Sequence, residues 1–325
     1  MDFYSTFKNK IFSINTANFD AFAIELFHFQ SKQNPIYSKF IEYLGIKPHD
    51  ITHVNEIPYL PIEFFKKHHV ICNGFTATDF FESSGTSLQR TSKHYIHESE
   101  IYRQSFLLTF KQFYGHPSKY TIIALLPTRE ERKNSSLVFM VDELVRLSCK
   151  KESGFYLNRL AELPDILLSV KGQKILFGLT YAILDFAEQF PIKPKNTLII
   201  ETGGMKGKRE ELSRKELHDI LSAGLGIKKI HSEYGMTELF SQAYSKGRGL
   251  FKTPPWMKIM VRDQRDPFTK MGINESGCLN IIDLANISTC SFIATDDLGI
   301  KRNNNEFEVI GRAENAEIRG CNLMI

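Results

Sequence analysis

The sequence predicts an α/β protein: a doubly wound sheet preceded by helices and followed by a small β-rich subdomain. Three apolar, β-prone runs carry the sheet: Tyr120–Leu126, Lys174–Leu179 and Asn196–Glu201. Each suits a strand buried on both faces, and helix-length segments separate them, the alternation that builds a parallel sheet. After Gly249 the pattern changes to short strands and turns.

In chain order, residues 1–75 read as helices. Asn18–Phe29 places Phe19, Phe22, Leu26 and Phe29 three or four apart, and Ile36–Leu44 repeats the stripe with Phe40, Ile41 and Leu44. Core packing accounts for both stripes; a partner-docking face is the alternative. Pro58 and Pro61 then break the chain before Ile62–Val70. Thr76–His94 reads as a flexible loop rich in hydroxyls around Gly85. Its hydroxyls and backbone N–H groups suit phosphate oxygens, although the Gly-x-x-x-x-Gly-Lys-Ser/Thr spacing is missing. His97–Phe113 is a helix, and Pro127 stops the first sheet strand. Ser135–Leu147 is a helix, a loop follows near Ser153–Gly154, and Thr180–Phe190 is the helix after the second strand. The third strand opens into Thr202-Gly203-Gly204-Met205-Lys206-Gly207. Arg214–Leu221 is a helix ended by Gly224 and Gly226, and Lys228–His231 starts another strand. Beyond Gly249, Lys258–Val261, Gly277–Asp283 and Phe292–Ala294 read as strands, Thr295–Gly299 as a turn, and Phe307–Ile310 as a last strand running into Gly311-Arg312.

The 325 residues suffice for a substantial core, and 41 basic against 37 acidic residues give a net charge of +4, too mild to argue for nucleic acid. Cys72, Cys149, Cys278, Cys290 and Cys321 are scattered, with no C-x-x-C pair, so reduced thiols are expected rather than disulfides or zinc. The N-terminus lacks the order of a signal peptide, and no apolar run approaches the ~20 residues of a membrane span. A cytoplasmic protein without a membrane span is the expectation. The 26 phenylalanines fit core packing and an apolar substrate pocket equally well.

His231-Ser-Glu-Tyr-Gly-Met-Thr-Glu238 is the stretch richest in chemistry. It turns at Gly235 beside the end of a strand, where open α/β sheets place their ligands. Tyr234 offers a face for a base, the backbone offers donors for a phosphate, and Thr237 and Glu238 offer oxygens for phosphate and Mg²⁺. Such a Tyr-Gly turn is commonly only a turn. The glycine-rich loop at Gly203–Gly207, after the neighbouring strand, strengthens the nucleotide reading because a loop without side chains lets a base approach closely.

In this order the motifs resemble those of the adenylate-forming enzymes, the acyl-CoA ligase and luciferase superfamily. Within it they resemble the LuxE-type acyl-protein synthetases of bacterial bioluminescence, over residues 76–325. Ser83-Ser84-Gly85-Thr86-Ser87 resembles the family's phosphate loop, and Gly203-Gly204 its adenine-side loop. Tyr234-Gly235-Met236-Thr237-Glu238, preceded by Glu233, looks like the Tyr-Gly-x-Thr-Glu motif. The resemblance implies Tyr234 on adenine, Thr237 on the α-phosphate and Glu238 on Mg²⁺. Thr295–Gly299 is similar to the Thr-x-Asp-Leu-Gly motif, making Asp297 the ribose ligand, and Gly311-Arg312 to the hinge opening, with Arg312 on ribose and Glu314 at the hinge position. The implied fold is the family's large N-terminal domain. It divides into a helical cap (1–75), a nucleotide- and acyl-binding core (76–248), a β-rich subdomain (249–310) and a hinge with a truncated C-terminus (311–325).

Two departures stand out. The loop after Thr86 lacks the usual Gly-x-Pro-Lys ending, for which Arg90 or Lys93 is the stand-in, and the sequence stops shortly after Gly320, where relatives continue into a domain carrying an adenylation lysine. That ending suits the acyl-protein synthetases, which close on an Arg-Gly-Cys segment whose cysteine is acylated; here it is Arg319-Gly320-Cys321. The resemblance therefore implies an ATP- and Mg²⁺-dependent activation of a long-chain fatty acid, or another carboxylic acid, as the acyl-adenylate. Thr86, Thr237 and Glu238 would serve that step. Transfer to Cys321 and delivery to an acyl-protein reductase would follow. Apolar lining is expected from Val138–Leu147 or Phe177–Thr180. The alternatives are an aryl- or acyl-CoA ligase lacking its C-terminal domain, and a non-catalytic nucleotide- or acyl-binding subunit.

Overall fold

The computed structural model describes residues 3–84, 91–204, 212–303 and 305–313. The chain divides into two compact units. The first holds the residues up to Tyr102, the three residues Glu238–Phe240, and the chain from Lys252 onward; the second holds Arg103–Thr237 and Ser241–Phe251. The first opens with α1 (Phe3–Lys10), α2 (Phe19–Gln33), α3 (Pro35–Tyr43), β1 (Leu60–Pro61), α4 (Phe64–Lys67), β2 (Asp79–Glu82) and β3 (Lys93–Ile96). Then α5 (Ser99–Tyr114) leads into β4 (Tyr120–Leu125), α6 (Ser136–Ser148), β5 (Gly154–Phe155), α7 (Leu163–Ser169), β6 (Gln173–Leu179) and α8 (Thr180–Gln189). There follow β7 (Thr197–Thr202), α9 (Arg214–Leu225), β8 (Ile230–Tyr234), β9 (Ala243–Ser245) and β10 (Leu250–Lys252). The last described elements are β11 (Met257–Arg262), β12 (Ser276–Asp283), β13 (Phe292–Lys301) and β14 (Glu306–Arg312).

In the second unit the strands run in the order β9-β8-β7-β6-β4-β5. Strands β4 to β8 are parallel, and β9 is antiparallel to β8. Every residue of β4 and six of the seven in β6 are buried, which is why both read as unbroken apolar runs rather than alternating ones. Because β5 lies on one side of β4 and β6–β8 on the other, the winding reverses at β4, as in a doubly wound sheet.

Helix α9 begins at a capping box, with Ser213 and Glu216 bonding each other's backbone N–H, and ends at Gly226, whose φ of 64° is left-handed. Gly224, expected to end the helix, lies inside it. Packing explains that glycine: a Cβ there would sit 2.9 Å from the carbonyl oxygen and 3.2 Å from the Cβ of Ala187 on α8. Strand β8 runs from Ile230 through Tyr234 with all five residues buried, so Lys228–His231 supplies its approach and its first two residues.

In the first unit, β11–β14 form an antiparallel meander, and β1 pairs parallel with β13. Thr295–Gly299, expected as a turn, is the middle of the ten-residue strand β13. The Leu-Gly pair that looks like a turn marks a register shift against β14, and a side chain at Gly299 would collide with the backbone oxygen of Glu308. Thr76–His94, expected as a loop, contains β2 and the start of β3, which pair antiparallel; Phe81, Ser92, His94 and Ile96 are buried, an alternation too short to notice among the hydroxyls. Of the N-terminal stripes, Phe19, Leu26 and Ile41 are buried, while Phe22, Phe29, Phe40 and Leu44 are half-buried. Phe27 and Tyr37, which the spacing did not single out, are fully buried and each lie 6.0 Å from the ring of Phe292 on β13.

Helix propensity favours alanine over glycine by about 1 kcal/mol. Gly224→Ala is expected nevertheless to destabilise by about 1–2 kcal/mol in a urea titration, because overpacking against Ala187 outweighs that gain. A stabilised variant would contradict the packing.

Candidate active site

In the second unit the expected binding residues lie at the ends of β7 and β8. Strand β7 delivers Glu201 and Thr202, both buried, and then Gly203 and Gly204, with φ of 77° and 60°. Two successive left-handed residues are open to glycine and strained for others. Thr202 donates its hydroxyl to the Glu233 carboxylate on β8. At Gly235 a Cβ would fall 2.6 Å from Oε1 of Glu233 and 3.2 Å from Cγ of Gln242, so a side chain here would have to displace the Glu233 carboxylate that Thr202 bonds. Tyr234 is buried with its ring edge-on to Phe251 at 5.9 Å, while Met236 and Thr237 are half-buried. Below them Glu201 accepts from Thr180 Oγ1 at 2.7 Å and from Arg214 Nη1 at 3.0 Å. Burial pushes this carboxyl up, but His218, Arg214, Ser232 and Thr180 together hold it below its ordinary value. His231 is buried, with its Nδ1 3.2 Å from the Tyr114 hydroxyl; burial and then Lys229 and Lys246 lower it to about 4, so it is neutral at pH 7.

The next residue, Glu238, belongs to the first unit. Its side chain is 5% exposed and hydrogen-bonded to Ser92. Ser92 in turn is tied to the root of the hydroxyl-rich segment: Ser83 N donates to Ser92 O at 3.0 Å, and Ser92 N to Ser83 Oγ at 2.8 Å. Burial raises the Glu238 carboxyl above its ordinary value; the Ser92 hydroxyl opposes this, nearby Asp297 adds to it, and Lys66 counters it. Asp297 faces Arg312 across the β13–β14 ladder, Nε to Oδ1 3.1 Å, and its N–H donates to Thr295 Oγ1 at 3.2 Å. Asp296 is likewise raised, by burial first, with Arg262 opposing and Asp297 adding to it. Within one unit Ser92 thus joins Ser83 to Glu238, and the Asp297–Arg312 pair acts on Glu238 through the charge of Asp297.

Gly85, Thr86, Ser87, Arg90, Glu314 and Cys321 lie outside the described residues; Ser84 is exposed, and the ammonium of Lys93 stands 4.8 Å over the ring of Phe80. Sequence reading missed Ser92, Lys66, Asp283 and Asn286. Ser92 lies among many other hydroxyl residues, where nothing in the sequence sets it apart. Lys66 lies on the four-residue helix α4, too short for periodicity to mark.

The buried Glu238 carboxylate fits a hard cation. Mg²⁺ is held by one or two carboxylates plus substrate phosphates, and its charge would offset the cost of burying ionised Glu238, to which Asp297 adds. Among the described residues no group of three or more His, Cys, Asp or Glu side chains is gathered as a self-sufficient metal site. A metal here would therefore depend on phosphate oxygens for its remaining ligands.

A family model for the acyl-protein synthetases of LuxE type matches residues 12–325. The chain belongs to the LuxE family. No curated protein matches it. Among solved structures this LuxE-family chain is similar to ATP-bound MatB from Rhodopseudomonas palustris, with a TM-score of 0.57 and 14% identity, over 74% of this chain and 48% of that one. It is also similar to 2-hydroxyisobutyryl-CoA ligase in an open conformation with 2-HIB-AMP and CoA, with a TM-score of 0.69 and 12% identity, over 94% and 78%. A structure of that ligase in the thioesterification state matches with a TM-score of 0.66 and 12% identity, over 94% and 71%. The chain spans about half the length of the MatB structures, and the fold is that of the N-terminal domain of adenylate-forming enzymes. Among the described residues no helix is long and apolar enough to cross a membrane.

The sign of the Glu238 shift makes a prediction. A carboxyl raised by the fold holds its proton more tightly there than in the unfolded chain, so its ionisation costs stability as pH rises from the ordinary 4.5 through the raised value. Glu238→Gln is expected to raise the thermal midpoint of the unliganded protein at pH 8, with the gain vanishing near pH 4.5. A midpoint unchanged or lowered at pH 8 would contradict the burial cost.

Proposed function

We propose that this chain activates a carboxylic acid with ATP and passes the acyl group to its own Cys321. The reading is supported above all by Glu238, a buried carboxylate beside Asp297, within the motif and family that carry adenylate formation. A protein does not bury such a group against a like charge for stability; its place is at a site where a cation and phosphate arrive.

A carboxylate is a poor electrophile because oxide would have to leave. In the proposed first step a carboxylate oxygen attacks the α-phosphorus of ATP, the bond to the β-phosphate oxygen breaks, and pyrophosphate leaves. Bound Mg²⁺ would supply positive charge to the phosphate oxygens. Glu238 would hold it, Ser92 would fix the orientation of that carboxylate, and the donors of Ser83–Ser87 with Thr237 would grip the phosphates. Asp297 and Arg312 would meet the ribose, and Tyr234, with Gly203 and Gly204, the adenine. In the second step a thiolate attacks the acyl carbon and AMP leaves, giving a thioester.

The three buried cysteines make poor acceptors. Cys72, Cys278 and Cys290 are buried, burial pushing the Cys290 thiol up to about 12 and the other two upward, whereas the thiolate is the nucleophile. Cys149 is exposed, capping the end of α6. The substrate class we propose is a long-chain fatty acid, and the consumer of the thioester an acyl-protein reductase.

Incubation with ATP, Mg²⁺ and a labelled fatty acid is expected to leave hydroxylamine-labile label on the wild type and none on Cys321→Ser, while both release pyrophosphate. Glu238→Gln is expected to slow pyrophosphate release on the order of 100-fold. Equal label on wild type and Cys321→Ser would remove that cysteine, and free acyl-CoA formed on adding CoA would favour a CoA ligase.

A further inference from the structure

The loop between β12 and β13, Leu284–Ser291, is buried along its whole length, which an irregular segment tolerates only when its backbone groups are bonded. Gln30 of α2 bonds one side of it: Nε2 donates to Asn286 O at 2.8 Å and Ile287 O at 3.1 Å, and Oε1 accepts from Ser291 N at 2.9 Å. Asn34 donates to Thr289 O at 2.9 Å, and Cys72 N to Ser288 O at 2.8 Å. The loop is therefore a fixed platform.

The other side of this platform grips Glu238–Phe240. Asn286 Nδ2 donates to Glu238 O at 2.8 Å and to Cys290 O at 3.2 Å, and its Oδ1 accepts from Phe240 N at 3.2 Å. Asp283 Oδ2 accepts from the same Phe240 N at 2.8 Å, and its Oδ1 from Ala285 N at 3.1 Å. Asn286 and Asp283 are both fully buried. Phe240 is locked in turn, 4.5 Å from the ring of His94 and 5.4 Å from that of Tyr102.

We infer that Asn286, seconded by Asp283, is a positioning residue for Glu238: it fixes the main chain on both sides of Leu239 and so sets where the buried carboxylate is presented. The inference rests on the reading of Glu238 as the magnesium ligand. The amide matches the task because it is a donor and an acceptor on one planar group. Alanine at 286 leaves Glu238 O and Phe240 N with fewer partners and frees the segment to shift. A displacement of tenths of an ångström lowers metal affinity before it abolishes chemistry.

The test is the Mg²⁺ dependence of acid-dependent ATP–pyrophosphate exchange, at fixed ATP and well below each variant's thermal midpoint. Asn286→Ala is expected to raise the half-saturating Mg²⁺ concentration roughly 10-fold, with near wild-type rate restored at high Mg²⁺. Tyr37→Phe removes a buried hydroxyl bonded to Pro58 O in the same unit, and is expected to lower the midpoint without moving that concentration. If Asn286→Ala does not fold, Asn286→Asp serves: it keeps the acceptor for Phe240 N but sets an oxygen against Glu238 O, and the same shift is expected. An active wild type alongside folded Asn286 variants of unshifted Mg²⁺ requirement would overturn the positioning role alone. A wild type that exchanges no pyrophosphate with any acid would overturn the adenylation reading, and this inference with it.

Discussion

A carboxylate taken out of water beside another carboxylate is the constraint on which the candidate site turns. Glu238 is buried and opposed by Asp297, and Lys66 only partly offsets that charge. Left alone, the arrangement costs stability; in the proposed function a divalent cation and a polyphosphate would offset that cost. Its neighbours follow from that requirement. Ser92 orients the carboxyl, Ser83 ties the root of the hydroxyl-rich segment to Ser92, and Arg312 pairs with Asp297.

Main-chain bonding holds the arrangement. The three residues Glu238–Phe240 leave the unit that contains their flanking residues and are clamped in the other by Asn286 and Asp283. Behind that clamp stand Gln30 of α2 and Asn34, which caps α3; the apolar spacing that marks these helices in the sequence points to neither. The polar positions of α2 therefore contribute to the candidate site's framework, although none would touch a substrate. The second unit shows the same economy at Gly235 and Gly224, where close approach rather than turn geometry favours the missing side chain.

Much of this was legible in the sequence. The strands β4, β6 and β7 declared themselves because burial on both faces leaves unbroken apolar runs. The motif residues stood out by order and type, and the family match covers them. What misled was local chemistry that serves two purposes. Asp297-Leu298-Gly299 has the composition of a turn yet lies in a bulged strand, and Gly224 has the look of a helix stop yet sits where α8 and α9 touch. What stayed hidden was long-range: Ser92 and Glu238 are far apart in sequence, and Asn286 lies in a loop whose polar residues resemble any surface loop. Only the fold reveals that this loop is buried.

The most direct test is the proton balance of Mg·ATP binding, measured by calorimetry at one pH in buffers of different ionisation enthalpy. A raised Glu238 must lose its proton when it takes up the metal, so wild type should release protons near the raised value and Glu238→Gln should release fewer. Equal release by both proteins would contradict the central claim, that the buried carboxylate is held in wait for a metal-bound nucleotide.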